Sequence, residues 1–419
     1  MDVPDTIQLM GDKQWQEIKS RLTGKFNKMM KGLFRQKGAQ LDINILASDE
    51  AQEFITTHAG ILDGGFQKVE MSDKMRERLT RSNYIFSGIK TFHELNEAFP
   101  SMLDENGNKK PFERFLNDVR KINDTYNANY LHAEYNFVQA SATMAAKWEQ
   151  FSEDGDRYYL QYRTAKDDKV RPEHAALDGV TLPMSDSFWE TYYPPNGWNC
   201  RCTVVQVRKQ KYPATEHGEA MSRGEEAMNG ERYNIFRFNS GKQGKTMPDY
   251  NPYTIKRCSD CDVAKGKLKL GFVPDYQLCQ GCIMIRKCSE DRNRDNSAKA
   301  TKKSPEVKKL QGTTISNPDF NHEVLVTGGS IREWTNQPHK EYAAKNSILK
   351  HIAKVFREAK YIGFIDNFKM KPGVKQSHLF ETNVLGELSW IIVREYEIGE
   401  FVLHSISDSD KIKTGIRKE

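Results

Sequence analysis

Two Cys-x-x-Cys pairs stand out first: Cys258 and Cys261, then Cys279 and Cys282, separated by seventeen residues. Each pair suits a tight turn that aims two thiolates at one point, and two such turns complete a tetrahedral four-sulfur shell for Zn2+. A closed shell leaves no position for substrate, so the expected role of this zinc-ribbon-like module is structural. Cys288 lies outside the pattern. The seven cysteines are an odd number confined to residues 200 to 288, which fits metal-bound thiolates in a reducing interior better than a disulfide framework. The other residues suited to chemistry are histidines and arginines near the C-terminus. No Gly-rich phosphate loop, His-Glu-x-x-His site or Gly-x-Ser-x-Gly elbow occurs.

The chain has 419 residues, 37% of them hydrophobic and 29% charged. That length predicts several domains, and that composition predicts packed cores without a membrane span. The first residues show no basic stretch followed by an apolar run, so no secretory leader is expected. The net charge is +6, and residues 286–310 hold nine Lys or Arg against four acids. With its Ser, Asn and Pro content, this stretch reads as a solvated basic linker rather than a nucleic-acid site.

The expected fold class is multidomain α+β. Residues 1–150 form a mostly helical N-terminal region, in which Phe112, Phe115, Val119, Ile122 and Tyr126 recur at steps of three and four, and the same face continues to Trp148. One helix from 112 to 148 would be about 55 Å long. Pro111 suits its first turn. Residues 151–250 read as a mixed domain, 251–290 as the zinc module, 291–320 as the linker and 321–419 as a small α+β domain. In the last, HEVLVTG resembles a strand and 339–361 an amphipathic helix. SHLFETNV, LSWIIVREYE and EFVLHSIS follow as strands of an antiparallel sheet, the last two joined across Ile398 and Gly399.

Residues 162–202, YRTAKDDKVRPEHAALDGVTLPMSDSFWETYYPPNGWNCRC, contain an Arg-Pro-Glu-His run, an Asp-Gly and a Pro-rich loop closing on Cys-Arg-Cys. This pattern resembles the signature of the Mu F-like phage head-morphogenesis family. The resemblance implies a minor capsid protein of the virion, inside the capsid near the portal, and in the host cytoplasm during assembly or after delivery. Its implied partners are the portal and other head proteins. Physically, Arg171 and Arg163 are suited to pair with Asp168 or Asp178 and fix a loop-rich fold. Cys200 and Cys202 point the same way if that stretch is extended, and with His174 could give three ligands to a second metal, though no fourth ligand is evident.

The order of elements in 321–419 is similar to the phage barnase, EndoU, colicin E5/D and RelE-like nucleases, which implies a toxin-like ribonuclease domain, RNA as substrate and an immunity protein as partner. A metal-independent ribonuclease needs a base, an acid and a cation over the phosphate. His378 or His404 is the expected acid or base and Arg394 the phosphate holder, with Glu381, His339 and Ser405 assisting. His351 reads as packing. Glu395 and Glu397 form a Glu-x-Glu pair such as ADP-ribosyltransferases carry, but the Ser-rich strand follows it, in the wrong order. The alternative is a purely structural virion protein whose C-terminal domain binds portal, head protein or packaged DNA without catalysis.

Overall fold

The computed structural model describes residues 12–37, 40–248, 251, 253, 280–366, 371–384 and 386–417. The chain divides into two compact units, Met1–Ser289 and Glu290–Glu419.

Unit 1 is led by five helices: α1 (Asp12–Phe34), α2 (Asp49–Asp63), α3 (Asp73–Ala98), α4 (Phe112–Asn123) and α5 (Leu131–Asp154). Their starts follow local chemistry. Ser48 and Ser72 accept hydrogen bonds from the amides of Ala51 and Met75, satisfying donors that the first turn leaves unpaired. α3 is buried around most of its circumference and contacts α1, α2, α4 and α5, so its polar residues find their partners inside the bundle. Among the described residues, no helix is long and apolar enough to cross a membrane.

Those partners form a buried ionic cluster. Lys90 Nζ donates to Glu134 Oε2 at 2.7 Å and to the Tyr126 carbonyl at 2.7 Å, and lies 3.1 Å from His58 Nε2. The Tyr253 hydroxyl donates to the other Glu134 oxygen, and His58 Nδ1 lies 2.8 Å from Ser87 Oγ. Burial pushes the Glu134 carboxyl up, but Lys90 and His58 outweigh it and hold it at about 2. Burial and the Lys90 charge push His58 down to about 4. Glu94 is fully buried beside this cluster, and neither of its carboxyl oxygens has a hydrogen-bond partner among the described residues. Burial raises it to about 8, so it is a neutral acid at pH 7.

The cluster also explains a departure from the sequence reading. The expected single helix from 112 to 148 is interrupted by a π-helical turn, Asp124–Asn129. The Tyr126 carbonyl turns to Lys90, and the Tyr130 amide reaches Thr125 instead of its usual partner.

After α5 the chain forms β1 (Tyr159–Arg163), α6 (Pro172–Ala175), β2 (Thr181–Pro183), α7 (Phe188–Thr191) and β3 (Thr203–Val207). The strands make an antiparallel sheet in the order β2, β1, β3, with Tyr159 opposite both Pro183 and Val207. α8 (His217–Ala227) and α9 (Ser240–Gln243) follow, α9 lying against α5. Cys258, Cys261 and Cys279 lie outside the described residues. Cys282 is buried near the start of α10 (Gln280–Lys303), and Cys288 packs on Ile55, Ala59 and Tyr84.

Unit 2 begins within α10. The stretch read as a flexible linker is helical: α10 is followed by α11 (Pro305–Leu310), and residues 314–317 are already a strand. Ala298, Thr301 and Val307 are buried, and Pro305 opens α11 at a position where its missing N–H costs nothing. The apolar side of this segment is too sparse to show among nine cations. The sheet contains β4 (Thr314–Asn317), β5 (Phe320–Leu325), β6 (Lys360–Asp366), β7 (Val374–Val384), β8 (Glu387–Tyr396) and β9 (Phe401–Ser407), in the order β4, β5, β9, β8, β7, β6. The expected β7, β8 and β9 are present, but the sheet is mixed rather than antiparallel, because β5 runs parallel to β9 with Leu325 opposite Val402.

Helices α12 (Gly328–Asn336), α13 (Tyr342–Ser347) and α14 (Ile352–Glu358) supply the other half of this core, α12 against β9 and α14 against β4 and β7. The predicted helix at 339–361 is therefore shorter and broken by a 3-10 turn at Ile348–His351, and Lys360 already belongs to β6. His351, expected to pack, is exposed. The chain after β9 reaches the far edge of the sheet, where Arg417 and Phe364 exchange backbone hydrogen bonds.

Two outcomes test this packing. A Cβ built on Gly241 would lie 2.2 Å from Trp148 Cβ, so Gly241→Ala should lower the stability of unit 1 by about 1–3 kcal/mol in denaturant unfolding. Glu94 binds its proton more tightly folded than unfolded, so its contribution is full below pH 4.5 and fades as pH rises to about 8. Melting temperature against pH should therefore fall less across that window in Glu94→Gln, which should be the more stable protein at pH 8.

Candidate metal centre

The pocket around His174 is built by a chain that returns on itself. Asp178 accepts from the Thr164 amide at 2.8 Å and from its hydroxyl at 3.1 Å, closing the loop between β1 and β2. The amide of Gly179, at φ +81°, donates to the Tyr162 carbonyl, and Tyr162 donates in turn to Val180. Within that loop Pro172 starts the single turn of α6, whose third residue, His174, is 2% exposed. The second loop, after α7, is fixed by Arg171, which donates to the Trp198 carbonyl at 2.6 Å, and by the Tyr162 hydroxyl on Asn196 at 2.8 Å. Arg201 grips Asp167 through both carboxylate oxygens, at 2.5 and 2.6 Å.

These pairings correct the expected ones. Arg171 pairs with a carbonyl, Arg163 donates to Gln161, and the bidentate arginine is Arg201. Residue types in the motif indicated ties between loops, but which residues meet depends on how the two loops cross.

The crossing brings His174, Cys200 and Cys202 together. Cys200 Sγ lies 3.6 Å and Cys202 Sγ 3.8 Å from His174 Nδ1, and the three ligand atoms lie within 4.8 Å of one another, all buried. His174 Nε2 has no hydrogen-bond partner among the described residues. Gly197 makes room for this: a Cβ there would lie 3.1 Å from Arg171 Nη1 and 3.6 Å from His174 Cε1. A hydrogen bond from Cys202 draws the Cys200 thiol well below its usual range, against the effect of burial and with help from His174. That same bond, with burial, raises Cys202. Among the described residues no fourth His, Cys, Asp or Glu joins the group.

In unit 2 the six predicted catalytic residues fall in four places. His378 pairs across the sheet with Val393 and Phe364, on the face that carries the core, and is buried. Its Nε2 lies 3.0 Å from Glu395 Oε2 and its Nδ1 2.9 Å from the Tyr361 hydroxyl. Burial pushes the Glu395 carboxyl up, but Lys375, His378 and Gln376 together hold it below its usual range.

Arg394 belongs to the opposite face, where it opposes Ser377 and Val402, and Ser405 opposes Ile392 there. A β-bulge between Ile392 and Val393 sets His404 beside them, and burial followed by the charges of Arg394 and Lys371 lowers it to about 4. Glu381 opposes Trp390 on that face, four residues along β7 from Ser377, roughly 13 Å away. His339 is at the other end of β8: Nδ1 accepts from the Glu341 amide and Nε2 lies 3.0 Å from Ser389 Oγ.

The structure therefore joins Arg394, His404 and Ser405, and separates them from His378, Glu381 and His339. Tyr361, as a partner of His378, and the Lys90 cluster gave no signal in the sequence, since neither follows from a spacing.

Residues 106–205 match the model of the family described as "Phage Mu protein F like protein", and residues 293–403 that of "Large polyvalent protein-associated domain 3". The chain is 29% identical over 283 residues to the "Putative capsid assembly protein F" of Escherichia phage Mu, an alignment covering 62% of this chain and 61% of that protein. It is 31% identical over 198 residues to the "Mu-like prophage FluMu F protein" of Haemophilus influenzae, covering 46% of this chain and 42% of that one. The chain thus spans less than two thirds of either relative's length. No solved structure matches. These similarities support the Mu F-like family read from residues 162–202.

Proposed function

We propose that the chain is a capsid assembly protein of a Mu-like phage, with unit 1 as the assembly part and unit 2 as its payload. The observation that carries this is where the family match falls. Residues 106–205 run from just before α4 into β3, so the similarity covers the long helical rod and both loops around His174. Within those loops Asp178, Asp167, Arg171 and Arg201 hold backbone or one another. That is the behaviour of a scaffold. The partners are the portal and other head proteins, and the site of action is the virion, near the portal, after assembly in the host cytoplasm. In this reading Cys258, Cys261, Cys279 and Cys282 hold a structural Zn2+.

For unit 2 we propose metal-independent RNA cleavage, favoured by the adjacency of the partly exposed Arg394 and His404 on one part of the sheet. At pH 7 His404 is neutral and able to accept the proton of a 2'-hydroxyl as that oxygen attacks phosphorus, while Arg394 balances the phosphate charge. The leaving 5'-oxygen takes its proton from solvent, because the structure puts His378 on the opposite face. A toxin-like role of this kind would require an immunity protein in the producing cell.

The two halves separate by experiment. Deleting the gene should abolish DNA-filled heads in electron micrographs, and a chain truncated after Ser289 should restore them; heads that form without the chain would end the assembly reading. The full chain should cleave total RNA with chelator present, with a rate that stays flat from pH 5 to 8 and falls below about pH 4. Arg394→Ala and His404→Ala should each lower it on the order of 10²-fold. Absence of cleavage in the wild type would leave unit 2 as a binding domain for portal, head protein or packaged DNA.

A further inference from the structure

We propose that His174, Cys200 and Cys202 bind one Zn2+ whose fourth coordination position is open and takes an exchangeable oxygen ligand. Zinc bonds of about 2.0–2.1 Å to nitrogen and 2.3 Å to sulfur set those two donors about 3.6 Å apart in a tetrahedron. The observed separations are 3.6 and 3.8 Å. Two thiolates and an imidazole are a donor set suited to zinc rather than to magnesium or calcium. All three side chains are buried and their ligand atoms lie within 4.8 Å of one another, so one ion can reach all three. A metal on Nδ1 fixes the proton on Nε2 and lets both sulfurs ionise.

The open position follows from what surrounds the triad. All three ligands line one small pocket, with room for about a single water, together with Lys169, Arg171 and Arg201. No fourth ligand residue is present among the described ones. Two thiolates cancel the charge of the ion, and with Arg201 paired to Asp167 it is Lys169 and Arg171 that leave the rim cationic and suited to a water or an anionic oxygen. The proposed ligands are none of the four cysteines at 258 to 282, and the inference does not depend on capsid assembly or on unit 2.

The test uses the full chain in which Cys258, Cys261, Cys279 and Cys282 are all changed to Ser. Metal analysis should find one zinc per chain. With Co2+ in its place, a thiolate charge-transfer band should appear, and added azide should shift the visible d–d bands by entering the open position. A folded chain, by circular dichroism, that takes up neither metal would overturn the site. Bands that azide leaves in place would overturn the open position. If the four-serine chain does not fold, wild type is compared with Cys200→Ser/Cys202→Ser: the zinc content should fall by one ion per chain, and an unchanged content would overturn the proposal.

Discussion

A lysine and a glutamate buried against each other constrain the rest of unit 1. Lys90 and Glu134 are each almost inaccessible to water, and removing two charges from solvent costs several kcal/mol per ion unless their hydrogen bonds are all satisfied. Satisfying them takes groups from several parts of the chain: His58 from α2, the Tyr126 carbonyl from the π turn, and the Tyr253 hydroxyl from beyond α9. The helices are therefore fixed in register by a few donors and acceptors as much as by apolar contact. The break between α4 and α5 is one result. The rod changes direction of hydrogen bonding where its carbonyl is needed elsewhere, and α5 then carries on to meet the sheet of β1, β2 and β3.

That sheet and its loops show a different economy. Several charged residues of the motif, among them Asp167, Arg171, Asp178 and Arg201, face backbone or an opposite charge, which lets long irregular loops hold one shape without regular ladders. The imidazole and two sulfurs meet one another where the loops cross. A rigid frame around a small set of soft ligands is what a metal site requires, since its ligands have to stay within a few tenths of an ångström of their places.

How far the sequence carried the reader differs by element for physical reasons. β7, β8 and β9 were legible because one face of each is buried in the core, which writes a period of two into the residues. β6 was hidden by Gly363 and the irregular register next to it, and β4 by its four-residue length. α10 was hidden by its own charges. In the candidate centre, the Cys-Arg-Cys and His174 were visible as types at a spacing, whereas the arginine and aspartate partners were misassigned because pairing is decided by how the loops cross. The six residues expected to form one nuclease site follow from residue type and from alternation within single strands, which does not say how strands pair, and the two faces of the sheet divide them. The bulge that puts His404 beside Arg394 has no counterpart in the local pattern, and Glu94 in α3 looks like any surface glutamate until the helix is seen to be enclosed.

The contact between Arg417 and Phe364 has a bearing on how unit 2 stays a single molecule. A strand at the margin of a sheet offers its unused amides and carbonyls to any other extended chain, and proteins protect such margins by covering them. Here β6 is the last strand, and Arg417 takes up the Phe364 amide and carbonyl and places its guanidinium 2.7 Å from Asp366. The cover fits only because residue 363 is glycine at φ +129°, since any Cβ would stand 2.2 Å from the Arg417 carbonyl oxygen. One methyl group at that point would lift the tail away and turn a closed border into a template. Wherever copies of the chain come close together, a guarded border keeps each sheet to itself and an unguarded one invites strand exchange.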